Sequence, residues 1–190
     1  MKKMSENRVD PTVAGLFLVG LITLFFGLLG VLLWNENAMG ADLLVYITGI
    51  GAGAANGILV AFALMFVLFA FLAAKVGNAF ATALFAFVAV ALFSVTIGLI
   101  ANSFIAFLII GVFFIVFALV AFLIGAPKLL AILLALTALL YIFVGVFVNA
   151  GNNGDDPLTF ALLFGVFGIL AGAVATYMAV ALSTEKLPVF

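Results

Sequence analysis

The chain has 190 residues, of which 69% are hydrophobic and only 7% are charged. So few polar side chains cannot cover a water-soluble globule of this size, and the composition therefore excludes a soluble fold. The mean hydropathy of +1.58 indicates an integral membrane protein.

Long apolar runs follow one another along the chain and are separated by short polar breaks. A helix needs about 20 apolar residues to cross the hydrocarbon layer. We therefore predict an all-α integral membrane protein, a six-transmembrane-helix bundle over residues 12–182. The predicted spans cover about residues 12–34, 43–73, 78–101, 104–124, 129–148 and 157–182, between an N-terminal segment at 1–11 and a C-terminal tail at 183–190.

All six cationic side chains lie on one side of this predicted bundle. They are Lys2, Lys3 and Arg8 before span one, Lys75 and Lys128 in the turns after spans two and four, and Lys186 after span six. The loops on the other side hold only acidic charges, at Glu36, Asp42, Asp155 and Asp156. Because positive charge marks the cytoplasmic side, we predict a multi-pass protein of the cytoplasmic membrane with both termini in the cytoplasm.

The predicted spans contain no Asp, Glu, Lys, Arg or His, and the whole chain has no Cys or His. A charge inside a span costs about 2.5 kcal/mol or more and usually marks an ion path or a proton relay. Metal catalysis and Ser-His or Cys-His chemistry need residues that are missing here. We expect no enzyme, no cofactor and no metal, which leaves a solute conduit or a structural membrane protein.

Small residues mark two of the predicted spans as tightly packed. They are Gly49, Gly53 and Gly57 on one face of span two, and Gly168 and Gly172 in span six. Glycines at this spacing let two helix backbones approach closely. A second interpretation of span two is a partly unwound start beside a watery vestibule, where Asn56 offers its amide to a solute. An interhelical hydrogen bond from Asn56 is the alternative.

Four short motifs have an order and spacing known from one membrane family. They are Asp10-Pro11 followed by Gly15-Leu16, then Gly77-Asn78-Ala79-Phe80, then Gly168, Gly172 and Tyr177 in the last span, and finally Leu187-Pro188-Val189. Together they resemble the acetate uptake transporter family, whose members include the succinate/acetate permeases. Family members usually have Asn where Asp10 stands. They also carry Gln and Glu in the stretch that matches residues 66–74, and Ser-Tyr-Gly where this chain has Phe87-Val88-Ala89, so the chain resembles a divergent member.

The resemblance implies a homohexamer in which each six-helix protomer encloses its own pore. It places an apolar constriction at Val19, Val88 and Leu136, two of which replace family aromatics. Thr23, Thr137 and Tyr141 lie near these positions and can offer hydrogen bonds to a small carboxylate, or can bond to helix backbones instead. The implied partners are that carboxylate, the lipid bilayer and further copies of the chain, with no nucleic acid.

The resemblance and the missing charges together predict channel-like passage of acetate, and by extension succinate, through the apolar constriction. The solute would cross as its neutral acid or as an anion with a proton. Asp10, Glu36 and Asp42, at the ends of the spans, are the titratable groups available for proton coupling. Two alternatives stay open: a channel for neutral solutes such as urea or short amides, and a structural membrane protein without a pore.

Overall fold

The computed structural model describes residues 11–35, 52–96 and 103–184. These residues form six helices and no strand: α1 (Pro11–Asn35), α2 (Ala52–Lys75), α3 (Ala79–Thr96), α4 (Phe104–Leu123), α5 (Lys128–Asn153) and α6 (Leu158–Thr184). The prediction of an all-α membrane protein is confirmed for this part of the chain. Gly49, the first part of predicted span two and both predicted tails up to residue 10 and from residue 185 lie outside it.

Four of the helices are long and apolar enough to cross a membrane, namely α1, α4, α5 and α6. Within the described residues, α2 and α3 contribute shorter apolar stretches, Leu59–Lys75 and Ala79–Val95. Large apolar side chains remain exposed along these helices, up to an exposed fraction of 80% at Leu123. Water does not tolerate such a surface, whereas lipid tails do.

The helix α5 continues to Asn153, beyond the predicted end of span five near residue 148. Hydropathy marks where a helix leaves the hydrocarbon, whereas its backbone hydrogen bonds decide where it ends. Here the end is set by Gly154, whose φ of +77° is the left-handed conformation that favours glycine. Asp156 then accepts a hydrogen bond of 2.9 Å from the Leu158 N–H and caps α6.

The most extensive helix contact joins α1 to α6, and glycines on both helices make it possible. A Cβ atom added to Gly168 would lie 2.6 Å from the Cα of Gly27, and one added to Gly165 would lie 2.8 Å from the Val31 nitrogen. Gly172 is likewise pressed against the Leu24 side chain. Because only glycine lets backbones approach this closely, α1 and α6 form one tight pair, which we call the glycine seam.

Two further antiparallel pairs, α2 with α3 and α4 with α5, are joined by turns of the same design. In the first turn, Gly77 adopts a φ of +77° and the Asn78 N–H bonds back to the Ala73 carbonyl oxygen. Asn78 also accepts a hydrogen bond of 3.0 Å from the Ala81 N–H and so caps α3. The Gly-Asn pair that carries part of the family resemblance therefore ends one helix and begins the next.

Candidate functional site

A cavity of about 40 Å³ lies among helices α1 to α5, inside the bundle. We call it the central cavity. Its lining residues are Leu16, Val19, Ile22, Thr23 and Phe26 from α1, Phe66 from α2, Leu84, Phe85 and Val88 from α3, Phe114 from α4, and Leu130, Leu133, Leu134, Thr137, Leu140 and Tyr141 from α5. The space is sufficient for a few water molecules. Its wall is almost entirely hydrocarbon, with three hydroxyl-bearing side chains.

Two of these hydroxyls are already bonded within their own helices. The Thr23 hydroxyl donates to the carbonyl oxygen of Val19 at 2.8 Å, with Gly20 as a second acceptor at 3.2 Å. The Thr137 hydroxyl donates to the Leu133 carbonyl oxygen at 2.8 Å. Threonine satisfies its hydroxyl proton in this way inside hydrocarbon, so neither side chain has to offer its proton to a solute.

Tyr141 is different because its phenol ring is buried and its hydroxyl has no hydrogen bond to another described residue. The ring is only 8% exposed and stacks on Phe114, with the ring centroids 5.4 Å apart and an angle of 11° between the planes. The stacking fixes the ring orientation from the α4 side. Tyr141 lines the central cavity, and a hydroxyl without a bond to another described residue can donate to, or accept from, a polar molecule that enters.

The structure brings together two of the three residues predicted to form the constriction. Val19 and Val88 both line the central cavity. Leu136 does not; it packs against the neighbouring apolar cluster that contains Leu133 and the alanines of α6. Successive residues on a helix point about 100° apart, so Thr137 reaches the cavity while Leu136 is turned toward α6.

Among the predicted site residues near the start of α2, Gly57 is the one whose surroundings the structure describes. A Cβ atom added to Gly57 would meet no described atom within 4 Å, so Gly57 makes no close helix contact within the described chain. The side chain of Asn56 and the surroundings of Gly53 lie outside the described residues. The sequence-based predictions of packing at Gly49 and Gly53, and of solute binding at Asn56, therefore stay predictions.

Four phenylalanines line the cavity that the sequence analysis did not single out: Phe26, Phe66, Phe85 and Phe114. Phe66 and Phe85 pack with their ring centroids 5.9 Å apart. Phe107 and Phe114 share the buried side of α4, seven residues apart, and this spacing is a weak signal for an inward face. The other phenylalanines of α4 mask this spacing in the sequence, because an all-apolar helix gives no contrast between its faces.

A second, wider space of about 290 Å³ lies at one end of the bundle. We call it the vestibule. It is lined by Thr12, Leu16, Asn78, Phe80, Ala81, Leu84, Phe85, Ile124, Ala126, Pro127, Leu130, Met178 and Leu182. These residues come from the start of α1, the end of α6 and both short turns, so all four chain segments meet at this end.

Among the described residues, no Asp, Glu, Lys, Arg or His side chain lines the central cavity or the vestibule. Lys75 and Lys128 are exposed in or beside the two turns at the vestibule end, and the Lys75 Nζ lies 4.6 Å from the centroid of the Phe71 ring. The described residues also hold no cluster of acidic groups that suits a metal ion. The site can therefore receive a small neutral or weakly polar solute, but it offers no fixed charge to an ion.

No family model, curated protein or solved structure matches this chain at a significant level. The resemblance to the acetate uptake transporters therefore rests on the motifs in the sequence. Two of those motifs have a structural reason here. Gly77-Asn78 builds the turn between α2 and α3, and Gly168 and Gly172 lie in the glycine seam.

Proposed function

We propose that the protein is a channel-like transporter through which small monocarboxylates such as acetate cross the cytoplasmic membrane. The observation that carries the proposal is an apolar cavity, enclosed by five helices of a membrane protein, that shares part of its wall with a wider vestibule at one end. A purely structural bundle has no need of such a cavity, since tight packing removes voids larger than a water molecule. Acetate is the proposed solute because the sequence motifs resemble those of the acetate uptake transporters.

The chemistry of the cavity favours the neutral acid over the anion. An anion that enters would lose its hydration without a cation or a charged hydrogen-bond donor in the described wall to replace it. The neutral acid needs only one or two hydrogen bonds, and the Tyr141 hydroxyl is placed to make one. The solute therefore crosses protonated and follows its own gradient, and no side chain has to carry a proton.

The proposal includes a membrane topology. Six crossings put the vestibule, Lys75 and Lys128 on one side, and the positive charge there makes that side cytoplasmic. Each protomer then holds a complete pathway of its own. A hexamer contains six such pathways, and none of them is formed between protomers.

The deciding experiment is uptake of radiolabelled acetate into proteoliposomes at pH 6 and at pH 8, at equal total acetate. Simple carboxylic acids titrate near pH 4–5, so the neutral fraction falls by about a hundredfold over this interval. The uptake rate, after subtraction of protein-free liposomes, should fall by nearly as much. Val88→Phe, which fills part of the cavity, should abolish uptake at both pH values while the protein keeps its gel-filtration profile.

The same cavity suits a channel for neutral solutes such as urea or short amides, because its wall distinguishes molecules by size and charge only. Urea uptake in the same proteoliposomes tests this second function. Urea flux without acetate flux would replace our proposal with the neutral-solute channel. Absence of both fluxes, in protein that is folded, would leave the structural role.

A further inference from the structure

The central cavity and the vestibule share a layer of apolar side chains in their walls. Four of the described residues line both spaces: Leu16 on α1, Leu84 and Phe85 on α3, and Leu130 on α5. Leu16, Leu84 and Phe85 are buried, and Leu130 is partly buried. A solute that moves from the vestibule to the cavity must pass through this layer.

Phe85 is the largest of the four and the most deeply buried, with an exposed fraction of 1%. Its ring lies across the contact between α3 and α1, directly over Gly15. A Cβ atom on Gly15 would collide with the Cζ and Cε atoms of this ring. Phe66 and Phe69 hold the ring from the α2 side, with centroid distances of 5.9 and 6.2 Å.

We propose that Phe85, seated on Gly15, is the gate between the vestibule and the central cavity. This proposal rests on the proposed transport function, and it adds a gate that is distinct from the Val19 and Val88 wall. Those two residues line the central cavity alone, whereas Phe85 borders both spaces. The ring must rotate away from Gly15 toward the vestibule for a solute to pass, and an apolar barrier of this kind also keeps water and ions out while it is closed.

The role of Gly15 follows from the same geometry. The absence of a side chain at Gly15 leaves a recess on α1 into which the edge of the Phe85 ring fits. A methyl group there would force the ring out of the recess and hold the layer open. Gly15-Leu16 is one of the motifs that carries the family resemblance, and both of its residues contact or border the gate.

The gate can be tested without knowledge of the substrate, because the chain has no cysteine of its own. Thr137→Cys places one thiol in the central cavity, and Ag⁺, a small hydrated ion, reacts only with thiols that water can reach. The rate is measured on purified protein by quenching, denaturing and counting the remaining thiols with a fluorescent maleimide. In the Phe85→Ala background the thiol should react about tenfold faster than with Phe85 present.

Two further cysteine positions calibrate the result. Ala126→Cys lies in the vestibule and should react quickly in both backgrounds, whereas Val112→Cys lies on the outer, exposed face of α4 and should stay protected by detergent or lipid in both. Equal rates for Thr137→Cys with and without Phe85 would overturn the gate. Faster reaction at all three positions would show that Phe85→Ala has lost the fold. Phe85→Leu, which better preserves volume, then decides. It should still accelerate the Thr137→Cys reaction selectively, and the absence of a selective effect would overturn the gate.

A glycine pair on α1 provides the matched test of the recess. Gly15→Ala should accelerate the Thr137→Cys reaction, because the added methyl displaces the Phe85 ring. Gly20→Ala puts the same methyl on the opposite side of the helix, within 2.7 Å of the Thr176 hydroxyl oxygen. It should lower stability, but in protein that is still folded it should leave the rate unchanged, because the Phe85 ring is not displaced. Equal effects of the two alanines would contradict the recess. A selective effect at Gly15 in a protein that shows no acetate uptake would keep the gate and reject the proposed substrate.

Discussion

The helix α1 has two faces that are built in opposite ways. The face toward α6 carries Gly20, Gly27 and Gly30, and any added Cβ there would meet α6 atoms at 2.5 to 2.7 Å. The face toward α3 and α5 carries larger side chains, among them Val19 and Phe26, and these border the central cavity. One helix therefore serves as a fixed support on one side and as the wall of an open space on the other.

This contrast separates stability from conduction. At the glycine seam many of the close contacts involve backbone atoms, which cannot rotate away, so a small addition there strains the helix pair. At the cavity the contacts are between side chains that border free volume and can change rotamer. Substitutions in the seam should therefore change the free energy of unfolding, and substitutions on the cavity face should change flux.

The largest expected effect is on the seam. Gly168→Ala should lower the free energy of unfolding by about 1–3 kcal/mol, because its methyl group would lie 2.6 Å from the Cα of Gly27. Thermal or denaturant unfolding in detergent, followed by circular dichroism, measures this change. Gly57→Ala is the matched control, since its methyl group meets no described atom within 4 Å and should leave stability unchanged or slightly raised. Similar losses at both positions would mean that the seam is not specially tight.

On the cavity side, Tyr141→Phe tests the role of a single hydroxyl without filling the cavity. This change removes the cavity hydroxyl that has no hydrogen bond to another described residue and keeps the stacking on Phe114. We expect acetate flux to fall about tenfold, which corresponds to the loss of roughly one hydrogen bond to the solute. Thr137→Val serves as the control because its hydroxyl is already bonded to the Leu133 carbonyl oxygen, and its flux should change less than about threefold. A larger loss of flux from Thr137→Val than from Tyr141→Phe would mean that the Tyr141 hydroxyl does not bind the solute.

A smaller effect distinguishes the predicted constriction from the observed cavity wall. Val88→Ala widens the central cavity and should raise acetate flux by about threefold, because the apolar barrier becomes easier to wet. Leu136→Ala should leave flux unchanged, since Leu136 packs toward α6. A larger rise in flux from Leu136→Ala than from Val88→Ala would contradict this ranking and support Leu136 as part of the constriction that the family resemblance implies.

The sequence predicts the helices better than it predicts the inward faces. The ends of α1 and α4 lie within one residue of the limits predicted for spans one and four, because polar residues such as Asn35 and Ser103 end or begin the apolar runs. The helix α5 continues past the predicted end of span five, because Asn149 and the residues after it leave the apolar run yet remain helical. The glycines of the seam are visible in the sequence because small residues stand out among large ones.

The cavity wall could not be found from periodicity. The described helices are apolar all round, so inward residues such as Phe85 and outward residues such as Leu123 have the same chemistry. Tyr141 and the two threonines could be singled out because a hydroxyl is rare in these runs. Phe85 became recognisable only through its position over Gly15, which depends on how α1 and α3 pack.

Thr23 lies where the two faces of α1 meet, and it gives the smallest expected effect. Its side chain lines the central cavity, while its carbonyl oxygen would lie 2.8 Å from a Cβ added to Gly168 in the seam. Thr23→Val removes a hydroxyl that is bonded only to carbonyl groups of its own helix, and no buried group loses its sole partner. We expect the free energy of unfolding to stay within about 0.5 kcal/mol and the flux within about threefold. A large loss of flux with unchanged stability would mean that the Thr23 hydroxyl turns toward the solute during passage. A large loss of stability would mean that its bond to Val19 supports the packing of α1 against α6.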